Sequence, residues 1–198
     1  MKNKTLDYYD QNAASFFADT VLADIREIQD KFISALPGTR VLDFGCGSGR
    51  DAKYFLEKGL EVTAVDGSEK MCGLASEYLG MPVRCMLFQE LNEQDKYDGI
   101  WACSSILHLP KDELLMVFFK MAAALRSNGI IYTSFKYGEF EGERNERYFT
   151  DFTIESFTKF IENISDIEIK DYWLTGDVRP GREDEKWLNL LLAKTDTV

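Results

Sequence analysis

The residues whose types and spacing could do chemistry begin with three alternating glycines behind an acid, Asp43-Phe44-Gly45-Cys46-Gly47-Ser48-Gly49. A second acid, Asp66, ends the apolar run VTAVD. Glycines at alternate positions let the chain turn sharply and let a ligand lie against bare backbone, because no Cβ blocks the approach. A carboxylate in the place of Asp66 can accept hydrogen bonds from both hydroxyls of a ribose. Dinucleotide folds offer the same acid, but their GxGxxG spacing needs glycine at position 50, where this chain has Arg50. Asp43, ahead of the loop, suits a cationic amino group rather than a pyrophosphate.

Such a loop works only at the carboxyl end of a central strand, where open α/β sheets bind nucleotides. The flanking sequence supplies that setting. RVLDF (40–44) and EVTAVD (61–66) are β-rich, and a helical stretch from Arg50 to Lys58 separates them. A helix from Ser68 as N-cap to Leu79, a strand near PVRCMLF, a strand at YDGIWAC, a helix from Lys111 to Arg126 and a strand at IIYTSF follow. This alternation predicts a doubly wound, mostly parallel sheet with right-handed crossovers. Before it, apolar residues from Tyr8 to Leu36 recur at helical spacing, with Asp19 and Thr20 expected to divide a short first helix from a longer second one. After Phe135 we expect a polar loop, KYGEFEGERNER, a helix over Thr153–Glu162, and a hairpin of DIEIKDYWL and KWLNLLLAK whose last strand enters the sheet antiparallel.

The runs VLDFGCGSGRDA, VTAVDGS, YDGIWACSSILHL and LRSNGIIYTSF resemble, in order, the motifs of class I S-adenosylmethionine-dependent methyltransferases. YYDQNAASFF and WLNLLLAK are similar to the two ends of a bacterial small-molecule group related to tellurite-resistance enzymes. The resemblance implies a Rossmann-like, seven-stranded α/β sheet of order 3-2-1-4-5-7-6 in one domain. Its parts would be an N-terminal helical lid (1–37), a cofactor-binding core (38–135) and a substrate-side portion (136–198). It also implies S-adenosyl-L-methionine as cofactor. Asp43, Gly45, Cys46, Gly47 and Gly49 would hold the methionine end, and Asp66 the ribose. Gly67, Ser68 and Met71 would line the adenine side, and Cys103 and Ser104, at the end of the fourth strand, would also bind the cofactor. Many members carry an acid after the third strand, but this chain reads MLFQEL there, which leaves Leu87 and Phe88 as contacts through backbone groups.

Methyl transfer from a sulfonium requires alignment and exclusion of water, and a base only where the acceptor must lose a proton. His108, the single histidine, follows the fourth strand and either serves as that base or orders its loop. Tyr8 and Tyr9 cannot both face one way on a helix, so one of them is expected at the site. Tyr9 is assigned to catalysis and Tyr8 to substrate. Arg144, Arg147 and Arg179, with Arg182, either bind an acidic acceptor or form a solvated surface beside neighbouring acids. Trp173 and Trp187 read as core. The loop after the fourth strand lacks the Asn/Asp-Pro-Pro-aromatic sequence of amide and base-amine methylation and the Pro-Cys of cytosine carbon methylation.

The net charge of -11 disfavours nucleic acid as a partner, so a small-molecule acceptor is expected. No stretch of about 18 apolar residues occurs, and four cysteines without a CxxC pair indicate neither zinc nor a redox dithiol. We therefore expect a cytoplasmic protein, monomeric or homodimeric, without metal. Three other readings remain open: a non-catalytic cofactor-binding protein, an RNA-modifying methyltransferase and a nicotinamide-dependent oxidoreductase.

Overall fold

The computed structural model describes residues 4–178, 181–182 and 184–195. Two helices, α1 (Lys4–Thr20) and α2 (Arg26–Ala35), precede the sheet. The expected division at Asp19 and Thr20 falls later, and the first helix is the longer. Thr20 does not cap a new helix but returns its Oγ1 hydroxyl to the Phe16 carbonyl at 2.7 Å. The acid that starts the second helix is Asp24, whose carboxylate accepts from the Arg26 N–H at 3.1 Å.

The strands β1 (Arg40–Phe44), β2 (Glu61–Asp66), β3 (Arg84–Cys85), β4 (Tyr97–Ala102) and β5 (Leu125–Lys136) alternate with helices α3 (Arg50–Glu57), α4 (Glu69–Leu79) and α5 (Lys111–Ala124). Ser68 begins α4 by accepting from the Met71 N–H, and Gly80, left-handed at φ 67°, ends it. α5 stops at Ala124 rather than Arg126, because β5 already starts at Leu125 and pairs there with Tyr97 of β4. The strand expected across PVRCMLF is two residues long.

The polar loop expected after Phe135 is instead largely a hairpin, β6 (Glu141–Arg144) and β7 (Arg147–Thr150). Its turn residues Asn145 and Glu146 have φ of 50° and 61°. Two left-handed residues give a turn whose twist matches the strands, and a glutamate in that position is a poor advertisement for it. The chain closes with α6 (Ile154–Ile161), β8 (Ile167–Gly176) and β9 (Lys186–Lys194).

The seven-stranded sheet runs β3-β2-β1-β4-β5-β9-β8, with β9 antiparallel between β5 and β8. Allowing for the added hairpin, this is the expected order. The direction of winding reverses between β1 and β4, which places a crevice at their carboxyl ends. One face of the sheet is sealed by Phe118, Phe135, Phe152 and Phe157, the other by Phe32, Phe55, Trp101 and Tyr132.

Beneath the crevice the buried Asp51 carboxylate takes three side chains at once. Gln29 Nε2 donates at 2.7 Å, Trp101 Nε1 at 2.8 Å, and Arg50 through two nitrogens at 2.8 and 2.9 Å. A charge this enclosed is tolerable only when paired and hydrogen-bonded, and the network ties α2, α3 and β4 under the glycine loop.

Candidate functional site

A cavity of about 620 Å³ opens at the carboxyl ends of the parallel strands, within the size range of small-molecule sites. Its first half is built on backbone. Gly45, Gly47 and Gly49 all have positive φ, at 88°, 52° and 79°. Gly45 admits no side chain, since a Cβ there would lie 2.4 Å from Ser105 Cβ. The Gly45 and Cys46 N–H groups donate to the Val65 carbonyl, and Ser105 Oγ donates to the Phe44 carbonyl, so β1, β2 and the turn after β4 hold the loop together.

Asp66 completes this half. Its two oxygens accept from the Gly47 N–H and the Ser68 N–H, both at 2.9 Å. Each oxygen keeps a lone pair for a further donor. Burial raises its pKa, and the neighbouring backbone N–H groups, those of Ser68 and Gly47 foremost, oppose that rise. The acid is therefore a strut of the loop as well as a wall of the cavity.

Gly45, Cys46, Gly47, Asp66, Gly67, Met71, Leu87, Phe88, Cys103 and Ser104 line the cavity. Asp43, Gly49 and Ser68 lie behind it. Asp43 is buried, and its Oδ2 has no partner. Burial first, then the nearby Asp51 charge, raises its pKa well above the carboxylate range. Gly49 packs against Leu79 and Ala75, and Ser68 caps α4 while donating its hydroxyl to Asp10 on α1 at 2.6 Å. Burial raises the pKa of the Cys103 thiol to about 11.

Helix α1 lies across this half as a cover. Leu6 sits against Gly67 and Phe16 against Gly47, each so close that a Cβ on the glycine would meet it, at 2.9 and 3.5 Å. Tyr9 lies on the same face, between them in sequence, and reaches the second half of the cavity.

That second half is built on side chains. His108, in the 3₁₀ turn Ile106–His108, places Nδ1 2.6 Å from the Tyr148 carbonyl and Nε2 2.8 Å from Tyr9 Oη. A carbonyl can only accept, so Nδ1 carries the proton, and the Tyr9 hydroxyl donates to the Nε2 lone pair. Burial is the main cause that takes the His108 pKa down to about 4; the Tyr148 carbonyl opposes it, and the charges of Arg147 and Arg144 reinforce it. Burial raises the Tyr9 pKa, with Arg147 acting in the opposite direction.

The arginines divide. Arg147 lines the cavity with its guanidinium 4.5 Å from the Tyr8 ring centroid and Nη1 3.5 Å from Tyr9 Oη. Arg144 lies outside the lining, bound to the buried Asp151 at 2.9 and 3.1 Å. Tyr8 is also outside the lining and packs under Arg147 instead. Arg179 lies outside the described residues. Arg182 and Lys136 are on the wall.

Sequence reasoning missed the floor of this half, Tyr132, Ser134, Asn189 and Trp187. Trp187 was expected in the core, yet it lines the cavity and donates Nε1 to Asp177 at 3.1 Å. Alternation along β5 marks which residues share a face, but not that the face ends in a cavity. Among the described residues no three His, Cys, Asp or Glu side chains form a metal cluster, and no helix is long and apolar enough to cross a membrane.

Comparison with known proteins finds similarity to one class. Residues 41–129 match the family model of a methyltransferase domain. A ubiquinone biosynthesis O-methyltransferase of Bradyrhizobium diazoefficiens is 30% identical over 108 residues, 52% of this chain and 42% of that protein. The chain spans less than half the length of the first curated relatives it matches. The solved 1,6-didemethyltoxoflavin-N1-methyltransferase of Burkholderia thailandensis, with its didemethyltoxoflavin and S-adenosylhomocysteine bound, superposes with a TM-score of 0.74 at 21% identity, over 96% of this chain and 85% of that one. A Rhodobacter sphaeroides chain provisionally described as a zinc-dependent alcohol dehydrogenase also reaches 0.74, at 13% identity, over 99% of this chain and 100% of that one. Likeness at that level of identity carries the fold alone. The family match and the sequence relatives supply the distinction: over its matched segment and in its fold this chain is similar to class I S-adenosylmethionine-dependent methyltransferases. The cofactor of that class is S-adenosylmethionine.

Proposed function

We propose that this chain transfers the methyl group of S-adenosylmethionine to a small-molecule acceptor held in the second half of the cavity. The observation that carries the reading is the glycine loop braced by Asp66 at the switch point, opening into one cavity that continues past His108. The loop fits the cofactor. Its positive-φ glycines leave room for a ligand against backbone, Asp66 retains lone pairs for ribose hydroxyls, and Met71, Gly67 and Leu87 provide an apolar wall for adenine. Bound there, the cofactor supplies an activated methyl group on a cationic sulfur.

The chain's own residues then align and dry the site. Leu6, Tyr9 and Phe16 cover the loop from α1, and well-oriented reactants can recover on the order of 7 kcal/mol from alignment alone. The Tyr9 hydroxyl, fixed by His108, orients the acceptor's nucleophilic atom. With a pKa of about 4 the imidazole is a weak base, so the pair positions an acceptor better than it deprotonates one.

Calorimetry with S-adenosylmethionine and S-adenosylhomocysteine tests the first half of this reading, with micromolar binding of both expected. Absence of binding, or a preference for a nicotinamide dinucleotide, overturns it. Release of S-adenosylhomocysteine in the presence of an acceptor panel separates turnover from mere cofactor binding. The net charge of -11 supports a small molecule rather than RNA as acceptor.

A further inference from the structure

Resting on the methyl-transfer reading, we propose that Arg147 selects an acceptor that reaches the site already ionised, a planar oxygen acid such as a small aromatic carboxylate or phenolate. Among the described residues, every other arginine has a carboxylate oxygen within 4.0 Å. Arg147 has none, in a chain with 34 acids to 23 bases. Its Nε is buried without a hydrogen-bond partner, and Nη1 makes only the 3.5 Å approach to Tyr9 Oη. A buried donor left unsatisfied is costly unless something fills the place, and an ionised oxygen does so with charge-assisted bonds.

The contrast with Arg144 sharpens this. The two residues flank one tight turn and face each other across the hairpin, yet Arg144 is neutralised by Asp151 while Arg147 points into the cavity. Tyr8 and Phe149 hold the guanidinium between their rings, at 4.5 and 5.2 Å, so its position is set before any ligand arrives. The neighbouring wall is aromatic, with Tyr9, Phe16 and Phe149, which suits a flat acceptor. An acceptor that arrives as an anion also needs no strong base, and the histidine beside it is not one.

The test uses the full chain loaded with S-adenosylhomocysteine and titrated with matched pairs of one- and two-ring aromatic carboxylates and their carboxamides. In the unaltered protein at least one acid should bind tenfold or more tightly than its amide. Arg147→Met should bring every pair within about twofold, and Arg147→Lys should keep part of the preference. Affinity for S-adenosylhomocysteine should stay within twofold in both variants, and the lysine variant keeps the test valid should the methionine variant fold poorly. If no pair favours the acid, or the preference survives the loss of the guanidinium, the proposal is overturned. It is also overturned if both variants lose cofactor affinity instead, since Arg147 would then serve the cofactor's own carboxylate. Failure of the unaltered protein to bind S-adenosylhomocysteine would sink the methyl-transfer reading itself, and this inference with it.

Discussion

The two halves of the cavity are made in different ways. The cofactor half uses peptide groups, with the Gly45 and Cys46 N–H groups tied to Val65 and the Gly47 and Ser68 N–H groups tied to Asp66. The half we assign to the acceptor uses side chains from four distant segments, Tyr9 on α1, His108 after β4, Arg147 on β7 and Trp187 on β9. A site made of backbone constrains residue type at fixed spacing, because only glycine fits. A site made of side chains can be rebuilt with other residues while the sheet stays the same, so acceptor choice can differ among proteins that share the cofactor half.

The largest effect should come from filling the backbone half. Gly45→Ala places a Cβ 2.4 Å from Ser105 Cβ and 3.1 Å from the Phe88 ring, on a residue whose φ of 88° already disfavours a side chain. Both penalties fall on packed structure that has little room to yield, so we expect a loss of about 2–4 kcal/mol in unfolding free energy. Urea denaturation should show that loss, and S-adenosylhomocysteine should no longer bind at micromolar concentrations. A stable variant with intact binding would mean that the loop is not rigid.

Asp66→Ala should come next and should act on both stability and affinity. A strand-end acid facing solvent would contribute little to folding, but this one holds Gly47 and Ser68. Loss of two accepted hydrogen bonds should cost about 1–2 kcal/mol in denaturation experiments. Cofactor affinity should fall roughly ten- to a hundredfold by calorimetry, the range of a charge-assisted hydrogen bond to ribose. Asp66→Asn retains one acceptor oxygen and should fall between the two proteins. A variant that loses stability without affinity would confine Asp66 to its strut role.

The same division explains what the sequence made legible. The order of the sheet, the glycine loop and Asp66 could be read because strand-helix alternation and glycine spacing are local patterns. The hairpin could not, since its turn residues Asn145 and Glu146 carry a left-handed conformation that glutamate rarely advertises. That omission also hid the difference between Arg144 and Arg147, which are opposed on one face of the unrecognised hairpin and differ in that only Arg144 meets Asp151. Asp43 was read as a ligand for the methionine end because it precedes the loop. The strand is buried, and Asp43 lies behind the cavity lining with its Oδ2 unpartnered.

His108 offers a measurement on the side-chain half that needs no substrate. As the single histidine, its imidazole resonances can be followed by NMR without assignment and should titrate near pH 4, well below the ordinary value of about 6.5. The depressed pKa means that between about pH 6.5 and 4 the unfolded chain takes up a proton that the folded chain refuses. Its stabilising contribution is therefore full above about pH 6.5 and lost as the pH falls toward 4, by about 2–3 kcal/mol. His108→Gln removes this group's contribution, so the stability gap between the two proteins should narrow over that window. Titration at the ordinary value would show that Nε2 is open to water and not held by Tyr9.

The smallest effect, and the most selective, should come from Tyr9→Phe. The ring remains, with its edge contacts to Phe16 at 5.1 Å and Tyr8 at 5.6 Å, so α1 should keep its place over the glycine loop and S-adenosylhomocysteine should bind within about twofold. What is lost is one hydroxyl, 2.8 Å from His108 Nε2. The unmet acceptor should cost about 1 kcal/mol in unfolding experiments. The histidine titration should also move upward, since the donor that favoured its neutral form is gone. On the proposed reading Tyr9 orients the acceptor and not the cofactor, so turnover should fall while cofactor affinity holds, by about tenfold for each 1.4 kcal/mol of lost alignment. Should cofactor affinity fall instead, with turnover at saturation unchanged, the boundary between the halves would lie on the other side of α1. Tyr9 would then belong with Asp66, whose charge already contributes to raising the tyrosine's pKa.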